Sequence, residues 1–263
     1  MPAQILPTPA GLIGGGDPQA NGTMWLLAGS STAKTLQEIN LVSGTIEKIL
    51  PIGANADSVV ESPTGVVAVG YSSANGPVEF RSGTSGSLVH TVTVGAPVKA
   101  VASGSDGTTF YVLSATSSTA SVTSVNSTAG AAELPGIGVP VNTIAIAVGA
   151  GDDELYLLQD SGSVTVTPLG VAAGQTAANG SFFVGADPQQ LALSADGSLL
   201  FVLKGSRSSP NIGVFNAATG QVRKVLPAPA NSVDLVTAID SAHIYVMVGT
   251  AAVGNIQVFP VGG

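Results

Sequence analysis

The chain has 263 residues, only 8 of them Lys or Arg against 16 Asp or Glu, for a net charge of −8, with no cysteine and two histidines. Eight scattered basic residues cannot build the positive field that phosphate neutralisation needs, and without cysteine there are no disulfides, thiolate nucleophiles or cysteine metal sites. No His-x-x-x-His or Glu-x-x-His pattern marks a zinc hydrolase, no apolar run approaches the roughly 20 residues of a membrane span, and Met1-Pro2 opens onto no basic-then-apolar leader.

From the N-terminus, residues 3–9 read as a short strand, followed by Gly14-Gly15-Gly16 and then the apolar run Met24-Trp25-Leu26-Leu27. That run returns as Gly65-Val66-Val67-Ala68-Val69, Phe110-Tyr111-Val112-Leu113, Leu155-Tyr156-Leu157-Leu158, Leu200-Phe201-Val202-Leu203 and Ile244-Tyr245-Val246-Met247. Measured at Trp25, Val67, Tyr111, Tyr156, Phe201 and Tyr245, the spacing is 42, 44, 45, 45 and 44 residues, which is an internal repeat. Upstream of the marker runs lie small-residue strands such as Ala100-Val101-Ala102 and Leu191-Ala192-Leu193. The joining turns are clearest as Ser105-Asp106-Gly107 and Ala195-Asp196-Gly197, where Asp-Gly between apolar alternations signals a hairpin. Downstream come a third, alternating strand (Ser121-Val122-Thr123-Ser124-Val125, Asn211-Ile212-Gly213-Val214-Phe215) and a more charged fourth (Glu47-Lys48-Ile49-Leu50, Arg223-Lys224-Val225-Leu226).

Four short antiparallel strands every 40 to 50 residues, without a long amphipathic helix, predict an all-β chain: a single six-bladed β-propeller over 1–263 with four-stranded antiparallel blades. A pair of small β-sandwiches would also use short strands and turns, but not an even sixfold spacing. The last copy ends without a fourth strand, and Gln4-Ile5-Leu6-Pro7-Thr8-Pro9 matches Lys224-Val225-Leu226-Pro227-Ala228-Pro229. Pro7 precedes Trp25 by 18 residues, as Pro227 precedes Tyr245 by 18. The N-terminal strand is therefore expected to complete the last blade and remove the open edges of the ring.

The stretch from Phe183-Val184-Gly185-Ala186-Asp187-Pro188 through Leu191-Ala192-Leu193-Ser194-Ala195-Asp196-Gly197 to Asn211-Ile212-Gly213-Val214-Phe215-Asn216-Ala217-Ala218-Thr219-Gly220 resembles the YVTN-type repeat of surface-layer and lactonase-like propellers. Residues 185–225 carry it best, the blade around Tyr111 follows it in part, and the copies around Trp25 and Val67 depart from it. The resemblance implies a secreted, periplasmic or cell-envelope bacterial setting. It also implies a scaffold shared by lactonases, lyases, electron-transfer partners and non-catalytic binders, and it transfers no catalytic residue. The 9% charged composition, with Ser, Thr, Ala and Gly in place of charge, fits the same setting.

For chemistry, the residues leading into the innermost strands should ring one mouth of the axial channel: Asp57 with Ser58, Lys99, Asn142, Gln189 with Gln190, and Asp234. The ring of Asp57, Lys99, Asn142, Gln190 and Asp234 can bind a small polar ligand by convergent hydrogen bonds, or serve as a hydrated rim. Asp152-Asp153-Glu154, with Asp160 beyond the next strand, is the densest acidic cluster. Asp152 and Asp153 can hold a cation such as calcium or form an ordinary solvated turn, and no other cofactor is expected. His90 and His243 lie in distant blades, and no Gly-x-Ser-x-Gly elbow is present.

Loops after the second strands, Ser30–Lys34, Ser72–Gly76, Thr116–Ala120, Ser206–Pro210 and Thr250–Gly254, should open on one face with small hydroxyl and amide groups. The expected function is a non-catalytic secreted or envelope domain, monomeric, recognising a protein, peptide or glycan through these loops. Contact with nucleic acid and direct membrane insertion are not expected. The alternative is a lactonase-like hydrolase or lyase using the polar mouth, with or without a divalent cation.

Overall fold

The computed structural model describes residues 4–169, 180–238 and 240–261, with side chains of 133–135 left aside; residue 3 of the expected N-terminal strand lies outside the described residues. Its described regular structure is entirely β.

After β1 (Gln4–Thr8), the first blade is β2 (Leu12–Gly15), β3 (Thr23–Gly29), β4 (Lys34–Asn40) and β5 (Ile46–Ile52). The second is β6 (Ala56–Glu61), β7 (Val66–Tyr71), β8 (Pro77–Ser82) and β9 (Leu88–Thr93), and the third is β10 (Val98–Ser103), β11 (Thr109–Ala115), β12 (Ala120–Asn126) and β13 (Ala131–Val139). The fourth comprises β14 (Thr143–Val148), β15 (Glu154–Gln159), β16 (Ser163–Pro168) and β17 (Gly180–Phe183). The fifth comprises β18 (Pro188–Leu193), β19 (Leu199–Ser206), β20 (Ser209–Asn216) and β21 (Val222–Pro227). In the sixth, β22 (Ser232–Thr237), β23 (His243–Gly249) and β24 (Gly254–Pro260) take β1 as their outer strand, with Leu6 opposite Ile256. Six four-stranded antiparallel blades closed by the N-terminus are what the repeat predicted.

The ring closes because each innermost strand lies beside the next, β2 between β22 and β6 and so on through β10, β14 and β18. Side chains of each sheet's two faces then meet those of the adjoining blades, giving six separate cores. Trp25, Leu27, Val67 and Val69 fill the first interface, and Phe80 and Phe110 meet in the second with ring centroids 5.1 Å apart. Trp25 is fully buried, and its indole Nε1–H donates to Gly83 O of the next blade at 3.1 Å, so the single tryptophan is an inter-blade anchor.

Every innermost strand carries a register shift at its second residue, between Leu12 and Gly14, Ala56 and Ser58, Val98 and Ala100, Thr143 and Ala145, Pro188 and Gln190, and Ser232 and Asp234. A β-bulge leaves one residue unpaired and re-aims its side chain. Asp57, Lys99 and Gln189 occupy that unpaired position in the second, third and fifth blades. One expected loop differs. Ser206–Pro210 is not an open loop, because pairing of β19 with β20 continues to Ser206 opposite Ser209 and leaves only Arg207 and Ser208 between the strands.

Candidate functional site

An axial chamber of about 420 Å³ runs between the innermost strands, within the range of ligand-binding cavities. Asp57, Lys99, Gln190 and Asp234, from four different blades, all line it; Asn142 does not. Asn142 precedes β14 and donates its side-chain amide to Asp160 Oδ1 at 2.9 Å, while Ile144 takes the bulge position in that blade.

At the mouth, Asp57 receives Lys34 Nζ at 2.6 Å, and Lys34 also donates to Ala56 O at 2.5 Å. Partial burial alone would raise the Asp57 pKa. The hydrogen bonds from Lys34 and Ser72 and the charges of Lys34 and Lys99 outweigh it and hold the carboxyl below its usual range. Lys99 stays exposed beside it. Because Ser72 begins the β7–β8 loop and bonds Asp57, the loops after the second strands surround this same mouth.

Deeper in, Asp234 is buried, at 7% exposure. Its Oδ2 accepts Gly15 N–H at 3.0 Å and its Oδ1 accepts Leu235 N–H at 2.8 Å, with a further bond from the Gln190 side chain. Burial pushes its pKa up to about 6 despite those three donors. The space it occupies exists because Gly14 lacks a side chain: a Cβ there would stand 2.9 Å from Asp234 Oδ2.

Two further acidic residues belong to the chamber lining. Asp17 sits in the β2–β3 connection, and burial, aided by the charge of Asp234, raises its pKa to about 7. Glu61 ends β6 in the equivalent place of the second blade, 3% exposed. Burial and the neighbouring Glu38 and Asp17 raise it to about 8, with Lys48 pulling the other way. The mouth-directed reading missed both because it followed the starts of the innermost strands. Aligning their ends gives Asp17, Glu61, Ser103, Val148, Leu193 and Thr237, where two carboxylates stand out.

The acidic turn resolves into separate contacts. Asp152, at φ +58°, accepts the Ser105 N–H at 2.8 Å and the Ser105 hydroxyl at 2.8 Å from the neighbouring blade. Glu154 accepts the Tyr156 hydroxyl at 3.3 Å, while Asp153 is exposed. Asp160 lies at the opposite end of the six-residue β15, about 20 Å away at strand rise. Among the described residues no three His, Asp or Glu side chains gather as a metal ion would require. His243 pairs with Asp240 at 3.1 Å, and the partly buried His90 packs beside the Gly130 turn of the next blade.

No protein-family model matches the chain, and no curated protein matches it. Among solved structures, Kuenenia stuttgartiensis hydrazine synthase superimposes with a TM-score of 0.72 at 11% identity, over 95% of this chain and 84% of that one. The Myceliophteria thermophila Cps50 (Swd1) β-propeller domain gives 0.69 at 10% identity, over 99% of both. The two differ in function, and at such identities the likeness reaches the architecture only. The chain is a six-bladed β-propeller.

Proposed function

We propose that the protein is a non-catalytic binding domain that takes a small polar ligand into its axial chamber from the face bearing the long loops. The observation that carries this reading is the convergence of Asp57, Lys99, Gln190 and Asp234, from four blades, on one cavity. A larger partner, whether protein, peptide or glycan, would meet the surrounding loops. Trp25, Tyr71 and Tyr156 are buried, however, so they offer no stacking platform for a sugar. The YVTN-like blade and the low charge support a secreted or envelope setting. The test is native mass spectrometry of the purified protein after incubation with a mixture of small metabolites. Retention of a bound mass that a Lys99→Ala, Gln190→Ala double variant loses supports the chamber; retention unchanged by that variant overturns it.

A second reading, a hydrolase or lyase, is favoured by one observation. Asp17 and Asp234 interact electrostatically inside the chamber and titrate near neutrality, as a general acid and base must. Turnover of a panel of lactones with a bell-shaped pH profile, abolished in Asp234→Asn, would establish it, and no turnover above buffer would remove it.

A further inference from the structure

The outermost strand of a blade is hydrogen-bonded on one side only. Its outer row of N–H and C=O groups is a template for another strand, and natural sheets blunt such edges with charge, proline or shortness. Five of the six outer strands here do so. β1 carries Pro7, β5 carries Glu47, Lys48 and Pro51, β13 carries Glu133 and Pro135, β21 carries Arg223, Lys224 and Pro227, and β17 has only four residues. The sixth, β9, reads Leu88-Val89-His90-Thr91-Val92-Thr93 and has no Asp, Glu, Lys, Arg or Pro.

β9 ends the sheet order β6-β7-β8-β9, and among the described residues no strand pairs with its outer edge. Its side chains alternate. Val92 is buried and the half-buried His90 packs against the Gly130 turn of the third blade, whereas Val89, Thr91 and Thr93 are exposed, Val89 at 55%. The register shift opposite Phe80 and Arg81 bends only the start of the strand; from His90 to Thr93 its pairing with β8 is regular.

What covers an unprotected strand edge is another strand, and the charge distribution favours a second copy of this chain. Two molecules of net charge −8 repel each other. From Ser62 to Val98, however, the only Asp, Glu, Lys or Arg residues are Glu79 and Arg81, which pair with each other at 2.6 Å. The outer part of the second blade is thus a neutral flank of an acidic ring, where two copies meet without opposing charges. The strand is also complementary to itself. Antiparallel pairing about a two-fold axis at Thr91 sets Thr91 opposite Thr91, Val89 opposite Thr93 and His90 opposite Val92. Exposed β-branched side chains then meet on one face of the joined sheet. We propose that β9 is a self-association edge through which two copies pair antiparallel, joining two four-stranded blades into one continuous sheet, in place of the monomer expected from the sequence.

The test is sedimentation equilibrium of the whole chain at about 0.15 M salt, from about 1 to about 500 µM protein. A six-residue edge buries little area, so a monomer–dimer equilibrium with a Kd on the order of 10–100 µM is expected. Added salt should not weaken it, since no ion pair holds it. Thr91→Lys and Thr91→Glu each set like charges face to face on the axis, so each variant alone should need about three- to tenfold more protein to dimerise. Mixed in equal amounts they should associate again, because lysine then meets glutamate across the axis. Val225→Lys, on the exposed β21, should dimerise as the wild type does. Thr91 is exposed, so its variants fold; should Thr91→Glu fail to, Thr91→Asp takes its place. A wild type that stays monomeric throughout overturns the inference and leaves the edge to a foreign strand. Dimerisation undiminished in Thr91→Lys, or a mixture no more associated than its components, overturns it as well.

Discussion

Asp17→Asn isolates one half-buried charge with little change of shape. The folded protein holds the Asp17 proton up to about pH 7, whereas the unfolded chain releases it at the ordinary 3.8. Between those values the folded state binds more protons than the unfolded one, so stability falls as pH rises through that window, and above it the loss is constant. Three pKa units correspond to about 4 kcal/mol at most. Part of the rise comes from Asp234, and the chamber solvates the rest in part, so about 2 kcal/mol is the working figure. Asparagine carries no proton to lose. The variant should therefore match wild type at about pH 4 and gain about 2 kcal/mol at about pH 8, a rise of roughly 4–8 °C in Tm for a chain of this size. Scanning calorimetry of both proteins at the two pH values reads this directly. A variant no more stable at the higher pH, or less stable, would show that the Asp17 carboxyl has a favourable partner and would refute the uncompensated charge.

Removing residues 1–8 should leave the β24 edge unpaired and take Leu6 from its buried site, so the truncated chain should elute as aggregate or lose its cooperative melt. A synthetic peptide of those residues should restore both. Gly14→Ala should cost about 1–3 kcal/mol in urea unfolding by driving the Asp234 carboxyl off Gly15 N–H, and the cost should shrink in an Asp234→Ala background; an equal cost in both backgrounds would sever that link. Trp25→Phe leaves the Gly83 carbonyl without its buried donor and should destabilise by about 1–3 kcal/mol, read as a lower urea midpoint at unchanged slope.

The architecture was legible because its determinants are local and repeated. Each hairpin is written in a few residues around an Asp-Gly or a Ser-rich turn, and six copies average out the irregular ones. The closing strand was legible for the same reason, since Leu6 and Leu226 occupy matching registers opposite Ile256 and Ile212. The site is legible where its residues begin the innermost strands, as Asp57, Lys99, Gln190 and Asp234 do, and illegible at the strand ends, where Asp17 and Glu61 lie. Asn142 falls outside the ring because it stands two residues before Ile144, which holds in the fourth blade the position of Asp57 and Lys99. No spacing rule brings Asp17 beside Asp234, more than 200 residues apart; the contact exists only once β1 has closed the ring and set β2 against β22.

The distribution of the acids around the ring follows from where the repeat breaks down. The blade that keeps the repeat best, around Phe201, presents Gln190, Leu191 and Ala192 along the axis, ahead of Leu193. In the first blade the corresponding strand is Gly14, Gly15 and then Gly16, which packs so closely that a Cβ on Gly16 would stand 2.9 Å from Glu61 N of the second blade. Three glycines remove the side chains that would otherwise fill this sector of the axis, at a cost in backbone entropy of about 0.5–1 kcal/mol each. That gap admits the Asp234 carboxyl from one side, with Asp17 near enough to feel its charge. A feature that costs stability in two ways, through glycines and through uncompensated charge, and sits at one sector of an otherwise repetitive ring, marks the place where the fold serves something other than its own stability.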